Sequence, residues 1–427
     1  MISVVISSMT VLCVAMSVAQ QDTGSDSVGL ASFGGFQAAI SIGPAAAATD
    51  PETPPYLAAG PFLVESLLAD WYDQQRNRTI PVKVYYPTEH GQPAPGPMPV
   101  ILFSHGLGGS REAAAYLGRH WASHGYVSIH LQHPGSDESI WRGKGQPMEA
   151  LREAARNPRA ALERIADVRF VLDRLEQLQR EPGPLNGRLD LERIGMSGHS
   201  FGAHTTLIVA GQVAVLPGGR EISQADSRIK AAVVLSPPVP QQPGQREKAF
   251  RKIAIPCFYM TGTEDDSPIG ETRKEDRRVP FDLSGDLADR YLVIFAGGDH
   301  MIFSGRERSL FGTPGTTRGG LLSLRRAREK DEVFHRLICA ATTAFWDAYL
   351  RGNAKARQWL AEGGFEKILG NDGTFEKKLI APPVSRANAV NTNSDGILTL
   401  DEVRAYFGRR FSRRSPTASI PQPTEKP

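Results

Sequence analysis

The chain has 427 residues, 41% hydrophobic and 22% charged, enough for one large single-core domain plus extras. Its net charge is only +3, and its one basic cluster, Arg409, Arg410, Arg413 and Arg414, reads as a solvated tail, which argues against a nucleic-acid partner. Cys13 lies in the N-terminal run and only Cys257 and Cys339 follow it, in apolar strand and helix patterns, so two buried free thiols are expected rather than a disulfide framework.

In chain order, residues 2–19 carry no charge and end in Ser17-Val18-Ala19, a small-x-small pattern that signal peptidase accepts. A cleaved signal at 1–19 and an exported (periplasmic or secreted) mature protein are expected. The missing basic flank leaves an uncleaved membrane anchor as the alternative. No other segment has the pattern of a membrane span. Residues 20–60, rich in Ala, Gly, Ser and Pro, read as a flexible leader.

From about residue 61 strand patterns recur at 80–87, 99–106, 126–133, 193–198, 229–237, 255–262 and 290–297. Several are continuous apolar runs, as in parallel strands buried on both faces. Asn157-Pro158 opens a helix whose Leu162, Ile165, Val168, Leu172 and Leu175 follow at three- and four-residue spacing. A second helix is expected at 331–351. Alternating strands and helices predict an α/β fold, with a mostly parallel central sheet flanked by helices, over 61–370. The Gly- and Arg-rich stretch 303–330 is a candidate flap.

The chemistry gathers at strand ends. Gly198-His199-Ser200-Phe201-Gly202 fits G-x-S-x-G, a tight strand-to-helix turn that holds a serine hydroxyl clear of the backbone. That hydroxyl needs a base. His199 is expected to project elsewhere, and His204, one helical turn on, to be packed or solvated. The base normally follows the last strand, and "GGDHMIFSG" puts His300 there. The strand between ends in Glu264, Asp265 and Asp266. Spacing from Gly262 selects Asp265 as the acid, with Asp266 as the alternative and Glu264 behind it. Asp299, beside His300, is expected to point away. "FSHGLGG" at 103–109 offers a Gly-rich turn for an oxyanion hole, with Leu107 N–H joining Phe201 N–H as donors and His105 structural.

"LFSHGLGGSR", "GHSFGAHT", "TGTEDDSP" and "GGDHMIFSG" resemble the platelet-activating factor acetylhydrolase and dienelactone-hydrolase-like branch of the α/β-hydrolases. The resemblance implies an α/β-hydrolase fold and a serine esterase acting on short or oxidised acyl groups of lipids. It implies Ser200 as nucleophile, His300 as base, an Asp at 265–266 as acid, and Leu107 and Phe201 as oxyanion donors. Dienelactone hydrolases proper carry Cys at the elbow, which argues against their substrate. Bacterial polyester hydrolases share the scaffold.

The tail, after Pro382-Pro383, resembles one EF-hand loop within 385–410. Asn391, Asn393, Asp395, the Ile397 carbonyl, Thr399 and Glu402 take the ligand positions, with Gly396 at the turn. Asn391 replaces the usual first Asp, and an Asn/Asp-rich turn is the alternative to a calcium site. Residues 411–427 read as disordered. The expected function is an exported serine hydrolase of carboxylic esters, needing no cofactor for catalysis. Its partners are a small-molecule or lipid ester and a peripheral lipid contact; no feature sets an oligomeric state. The rivals are a polyester or cutinase-like hydrolase and a non-catalytic binding protein on the same scaffold.

Overall fold

The computed structural model describes residues 37–39, 55–215, 220–305 and 318–380. The expected signal peptide, most of the leader, the EF-hand-like loop with its helix, and the tail lie outside the described residues, as does 306–317 of the candidate flap. No helix among the described residues is long and apolar enough to cross a membrane.

The first half of the chain forms β1 (Gln37–Ala39), β2 (Leu63–Asp73), β3 (Arg78–Glu89), β4 (Gln92–Pro93), β5 (Met98–Ser104), α1 (Ala115–Ser123), β6 (Val127–Leu131), α2 (Pro147–Ala155) and α3 (Pro158–Leu178). Then follow β7 (Leu189–His199), α4 (Phe201–Ala210), β8 (Val213–Val215), β9 (Glu221–Ser223), β10 (Ile229–Leu235), α5 (Pro243–Phe250) and β11 (Cys257–Glu264). The series closes with α6 (Val279–Leu283), β12 (Arg290–Asp299), α7 (Arg318–Tyr349), α8 (Ala354–Ala361), α9 (Gly364–Leu369) and β13 (Gly373–Lys378).

Six strands pair in parallel in the order β6-β5-β7-β10-β11-β12. Antiparallel strands extend this block on both sides, β3, β2 and β1 beyond β6, and β13 beyond β12. The expected mostly parallel central sheet is present. Alternation along β5 shows why its sequence is unbroken apolar. Ile101 and Phe103 pack with Trp121 of α1 and Phe345 and Trp346 of α7, while Val100 and Leu102 pack with Val168 and Leu172 of α3. Both faces are covered, so neither needs polar side chains.

Asn157 caps α3 through its side-chain oxygen, which accepts from Arg159 N–H, and Pro158 sits at the first helical position. Of the five expected apolar positions, Ile165, Val168, Leu172 and Leu175 are buried, but Leu162 is 63% exposed, because at 3.6 residues per turn it falls on the face of α3 away from the buried Ala160, Val168, Val171 and Leu175. The helix expected at 331–351 begins at Arg318 and ends at Tyr349. Strands β2 and β13 carried no clear periodic signal, and each lies toward an edge of the sheet. Both cysteines of the folded region are free and buried, as expected.

Candidate active site

The register brings the carboxyl ends of the parallel strands to one edge. Ser104 pairs Gly198, Leu235 pairs both His199 and Met260, and Glu264 pairs Asp299. The loops after β5, β7, β10, β11 and β12 therefore leave the sheet together, where open α/β sheets build their sites.

Ser200 joins β7 to α4 with φ 55° and ψ −114°, a conformation that L residues avoid. Two glycines permit it. A Cβ on Gly198 would overlap the backbone of Gly202, and one on Gly202 would overlap the Ser104 carbonyl. The turn is held from behind by Ser200 N–H donating to the Leu235 carbonyl at 2.9 Å.

His300 opens a short 3-10 turn after β12. Its Nε2 is 3.0 Å from Ser200 Oγ, and its Nδ1 is 2.7 Å from Asp265 Oδ1. With Nδ1–H donating to the carboxylate, Nε2 is the acceptor that faces the hydroxyl. Asp265 is fully buried and also accepts from Ser236 Oγ and Thr261 Oγ1, each at 2.8 Å. Asp266 is exposed, and its Oδ1 accepts from Lys274 N–H at 3.1 Å. Glu264, also exposed, pairs with the Lys274 ammonium at 3.2 Å. Of the three adjacent acids, the geometry brings only Asp265 to His300.

The His204 ring stacks on Phe201, with 6.1 Å between ring centroids, and its backbone N–H donates to the Ser200 carbonyl at 3.1 Å. Burial, with the Arg164 charge adding to it, pushes its imidazole down to about 4, so it is neutral at working pH. Asp299 caps the 3-10 turn, its Oδ1 accepting from Met301 N–H. His199 departs from expectation. It lines the cavity beside Ser200, and its Nε2 donates to the His300 carbonyl at 2.9 Å, steadying the turn that carries His300.

A fully buried arginine backs Asp265. Arg277 donates through Nε to the Asp265 carbonyl at 3.1 Å and through Nη1 to the carbonyls of Ser236 and Pro237. Its Nε is 3.5 Å from Asp265 Oδ1. Its Nη2 lies 3.3 Å from His300 Nδ1, a close approach of two donors rather than a hydrogen bond.

On the opposite side, the loop after β5 turns under α2. Gly108 has φ 72°, and a Cβ there would strike Leu151 and Trp141. Its N–H donates to the Ser136 carbonyl at 2.9 Å and its carbonyl accepts from Trp141 Nε1 at 2.8 Å. His105 is structural: Nε2 accepts from His133 N–H at 3.0 Å, so Nδ1–H is the donor to the Gly106 carbonyl at 2.6 Å. Phe201 is the first residue of α4, where an N–H has no partner within its own helix.

Behind this loop lies a buried polar cluster on α3. Asp167 accepts from Arg76 at 2.7 Å, Arg78 at 2.8 and 2.9 Å, and His133 Nδ1 at 3.0 Å. Burial alone would raise its carboxyl, but hydrogen bonds from His133 and Arg78 hold it well below the usual carboxylate range. Arg164, also fully buried, reaches the loop itself.

A cavity of about 380 Å³ opens at Ser200, lined by Leu107, Phe201 and His300. Its apolar wall is Met148, Leu151 and Ala155 of α2 with Pro268 and Ile269 after β11. Of the candidate flap at 303–330, Ser304 lines this cavity and residues from 318 belong to α7. The sequence reading did not single out α2, Ser236, Thr261, Arg277 or Arg164. A polar Ser236 ending the apolar run of β10 was the one visible hint.

The described sheet, the serine on its strand-to-helix turn, and the histidine and carboxylate on later strand ends define the α/β-hydrolase fold. Residues 58–352 match the family described as PETase, PET hydrolase-like, and the chain belongs to that family. It is also similar to platelet-activating factor acetylhydrolases. That of Cavia porcellus is 25% identical over 324 residues, 68% of this chain and 66% of that protein. That of Bos taurus is 30% identical over 237 residues, 48% of each. The chain thus spans less than two thirds of the length of these curated relatives.

Proposed function

We propose that the chain is an exported serine hydrolase that cleaves carboxylic esters through an acyl-Ser200 intermediate. The observation that carries the reading is the chain of two hydrogen bonds, Ser200 Oγ to His300 Nε2 at 3.0 Å and His300 Nδ1 to Asp265 Oδ1 at 2.7 Å. In this mechanism His300 takes the Ser200 proton as Oγ attacks the ester carbonyl. Asp265 holds the imidazole tautomer and stabilises the imidazolium. The N–H groups of Leu107 and Phe201 receive the developing oxyanion. His300 then gives its proton to the departing alcohol, and a water activated by the same base releases the acid. No cofactor enters these steps. Cleavage of the N-terminal signal after Ala19 accounts for export.

The substrate reading favoured here is a short-acyl or phospholipid-type ester, in keeping with the similarity to platelet-activating factor acetylhydrolases. The cavity of about 380 Å³ suits a small acyl group. The match to the PET hydrolase-like family favours a second reading, a polyester or cutinase-like hydrolase. A panel of 4-nitrophenyl esters from acetyl to palmitoyl, run beside a polyester film, separates the two. Steeply falling turnover with acyl length and no film weight loss is expected. Inactivity toward every ester, with no labelling of Ser200 by a fluorophosphonate, would leave the non-catalytic binding protein.

A further inference from the structure

We infer that Arg164 is the positioning residue of the oxyanion hole, holding both segments that carry its N–H donors. The inference rests on the ester-hydrolase reading above. The two donors come from distant parts of the chain, Leu107 after β5 and Phe201 at the start of α4. One side chain, projecting from α3, touches both segments.

The first contact acts through the peptide plane. The Gly106 carbonyl and the Leu107 N–H belong to one trans peptide and point in opposite directions. Gly106 O accepts from His105 Nδ1 at 2.6 Å, from Gly109 N–H at 3.0 Å and, at the outer limit, from Arg164 Nη2 at 3.5 Å. Arg164 Nη1 donates to the neighbouring His105 carbonyl at 2.6 Å. Arg164 thus ties the His105 carbonyl to α3 and adds a long contact to a Gly106 carbonyl already held within its own turn, and this placing of the peptide leaves Leu107 N–H to the opposite side, toward the cavity that Gly106 and Leu107 line. A cation at the carbonyl end also polarises that peptide and strengthens its N–H as a donor.

The second contact is a stack. The guanidinium carbon lies 4.3 Å from the centroid of the Phe201 ring, close enough for a cation–π contact that fixes the residue opening α4.

The choice of partners separates this arginine from a stabilising ion pair. Beside the His105 ring, whose Nδ1–H is itself a donor, its hydrogen-bonding partners are the hydroxyls of Ser104 and Ser136 and the carbonyls of His105, Gly106 and Ser136. None is a carboxylate. Asp167, one turn along α3, is engaged by Arg76, Arg78 and His133 instead. Burial pushes the Arg164 guanidinium down to about 9, so it is still charged at neutral pH. A buried cation held by neutral oxygens is costly for stability. What the arrangement provides is a fixed loop.

The test uses the full chain with 4-nitrophenyl butanoate. Arg164→Met and Arg164→Lys are expected to lower kcat by about 10²-fold, the scale of losing an oxyanion donor, with KM within about threefold. Affinity for a trifluoromethyl ketone, whose hemiketal oxygen occupies the same hole, is expected to fall in parallel with kcat/KM. The acid limb of the pH profile is expected to stay in place, because Asp265 and His300 are untouched. If Arg164→Met does not fold, Arg164→Lys carries the same measurements. A folded variant with kcat within twofold of the parent overturns the inference, as does a loss confined to KM or one without loss of ketone affinity. A parent chain that turns over no ester overturns the functional reading and this inference with it. An active parent with unaltered variants overturns the inference alone.

Discussion

Each side of Ser200 is backed by one fully buried arginine, and the two differ in what they face. Arg277 faces charge: its Nε is 3.5 Å from the Asp265 carboxylate, and its Nη2 is 3.3 Å from the His300 ring. Arg164 hydrogen-bonds only to neutral groups, the hydroxyls and carbonyls under the loop after β5. In the proposed mechanism the acid–base side manages a proton, and a nearby cation there balances the Asp265 anion. In the same mechanism the oxyanion side holds fixed dipoles, and the cation there is proposed to aim peptides. Equal burial of the same residue type therefore serves electrostatics in one place and geometry in the other.

The largest expected effects lie in the shared centre. Ser200→Ala and His300→Ala are each expected to lose on the order of 10³-fold or more in kcat, and not to add in the double variant, because the two act as a unit. Steady-state turnover of a short ester measures this. Near-normal turnover in either variant would remove the comparison altogether, since there would be no reaction to divide.

Next comes the acid. Asp265→Asn is expected to cost about 10³- to 10⁴-fold, since the wrong imidazole tautomer is then favoured. Asp266→Asn should cost less than about threefold, because its carboxylate caps Lys274 N–H in solvent. Equal losses in the two variants would mean that the acid is shared.

Arg277→Met probes the acid–base side directly. A roughly tenfold fall in kcat is expected as the Asp265 and Ser236 carbonyls lose their donor. The pH profile gives the sharper readout. Removing a positive charge beside the imidazole makes its protonated form easier to reach, so the acid limb of kcat/KM is expected to move to higher pH. Arg164 variants are expected to leave that limb alone. A matching shift in both sets would erase the distinction between the two arginines.

Asp167 tests the support beneath the oxyanion loop. Its carboxyl is depressed in the folded state, so its stabilising effect is present above the unfolded carboxyl value, near 4, and is lost as pH falls below it. Asp167→Asn is expected to lower Tm at neutral pH by roughly 5–10 °C, as for breaking a buried ion pair. It is also expected to flatten the acid-side fall in Tm. A flat Tm difference from pH 7 to pH 3 would show that the cluster contributes no linked protonation.

The smallest expected effect concerns the EF-hand-like loop. With only Asp395 and Glu402 as carboxylates, binding near 10⁻⁴–10⁻³ M is expected. Excess EDTA is expected to leave small-ester turnover unchanged. Calcium is expected to raise Tm, and Glu402→Gln to abolish that rise. Turnover lost in EDTA and restored by calcium would couple the tail to the site.

The linear order of residues determined the elements whose physics is local. Continuous apolar runs announced the parallel strands because both sheet faces are covered, as Val100 and Ile101 show by packing to opposite sides. Asn157-Pro158 announced a helix start because capping is settled within one turn. The glycines around Ser200 announced the elbow because only a missing Cβ fits there. Chain order along the strands singled out His300 over His199 and His204. Three adjacent acids were harder. Spacing pointed to Asp265, but its burial beside His300, with Asp266 in solvent, is a fact of packing.

Only the tertiary structure brought in Ser236, Thr261, Arg164 and Arg277. Nothing local distinguishes Arg164 from the other arginines of a charged helix, or Arg277 from Arg278 beside it. Arg277 is 1% exposed and faces the dyad, while Arg278 pairs with Asp282 and Glu376 at the surface. A charged side chain acquires its role from what the rest of the chain folds around it, because the cost of burial and the partners that offset it are both set by distant residues. Backbone preferences and apolar periodicity are properties of neighbours along the chain, and they were legible from it. The environment of a buried charge depends on contacts across the sheet, and for this protein only the fold determined it.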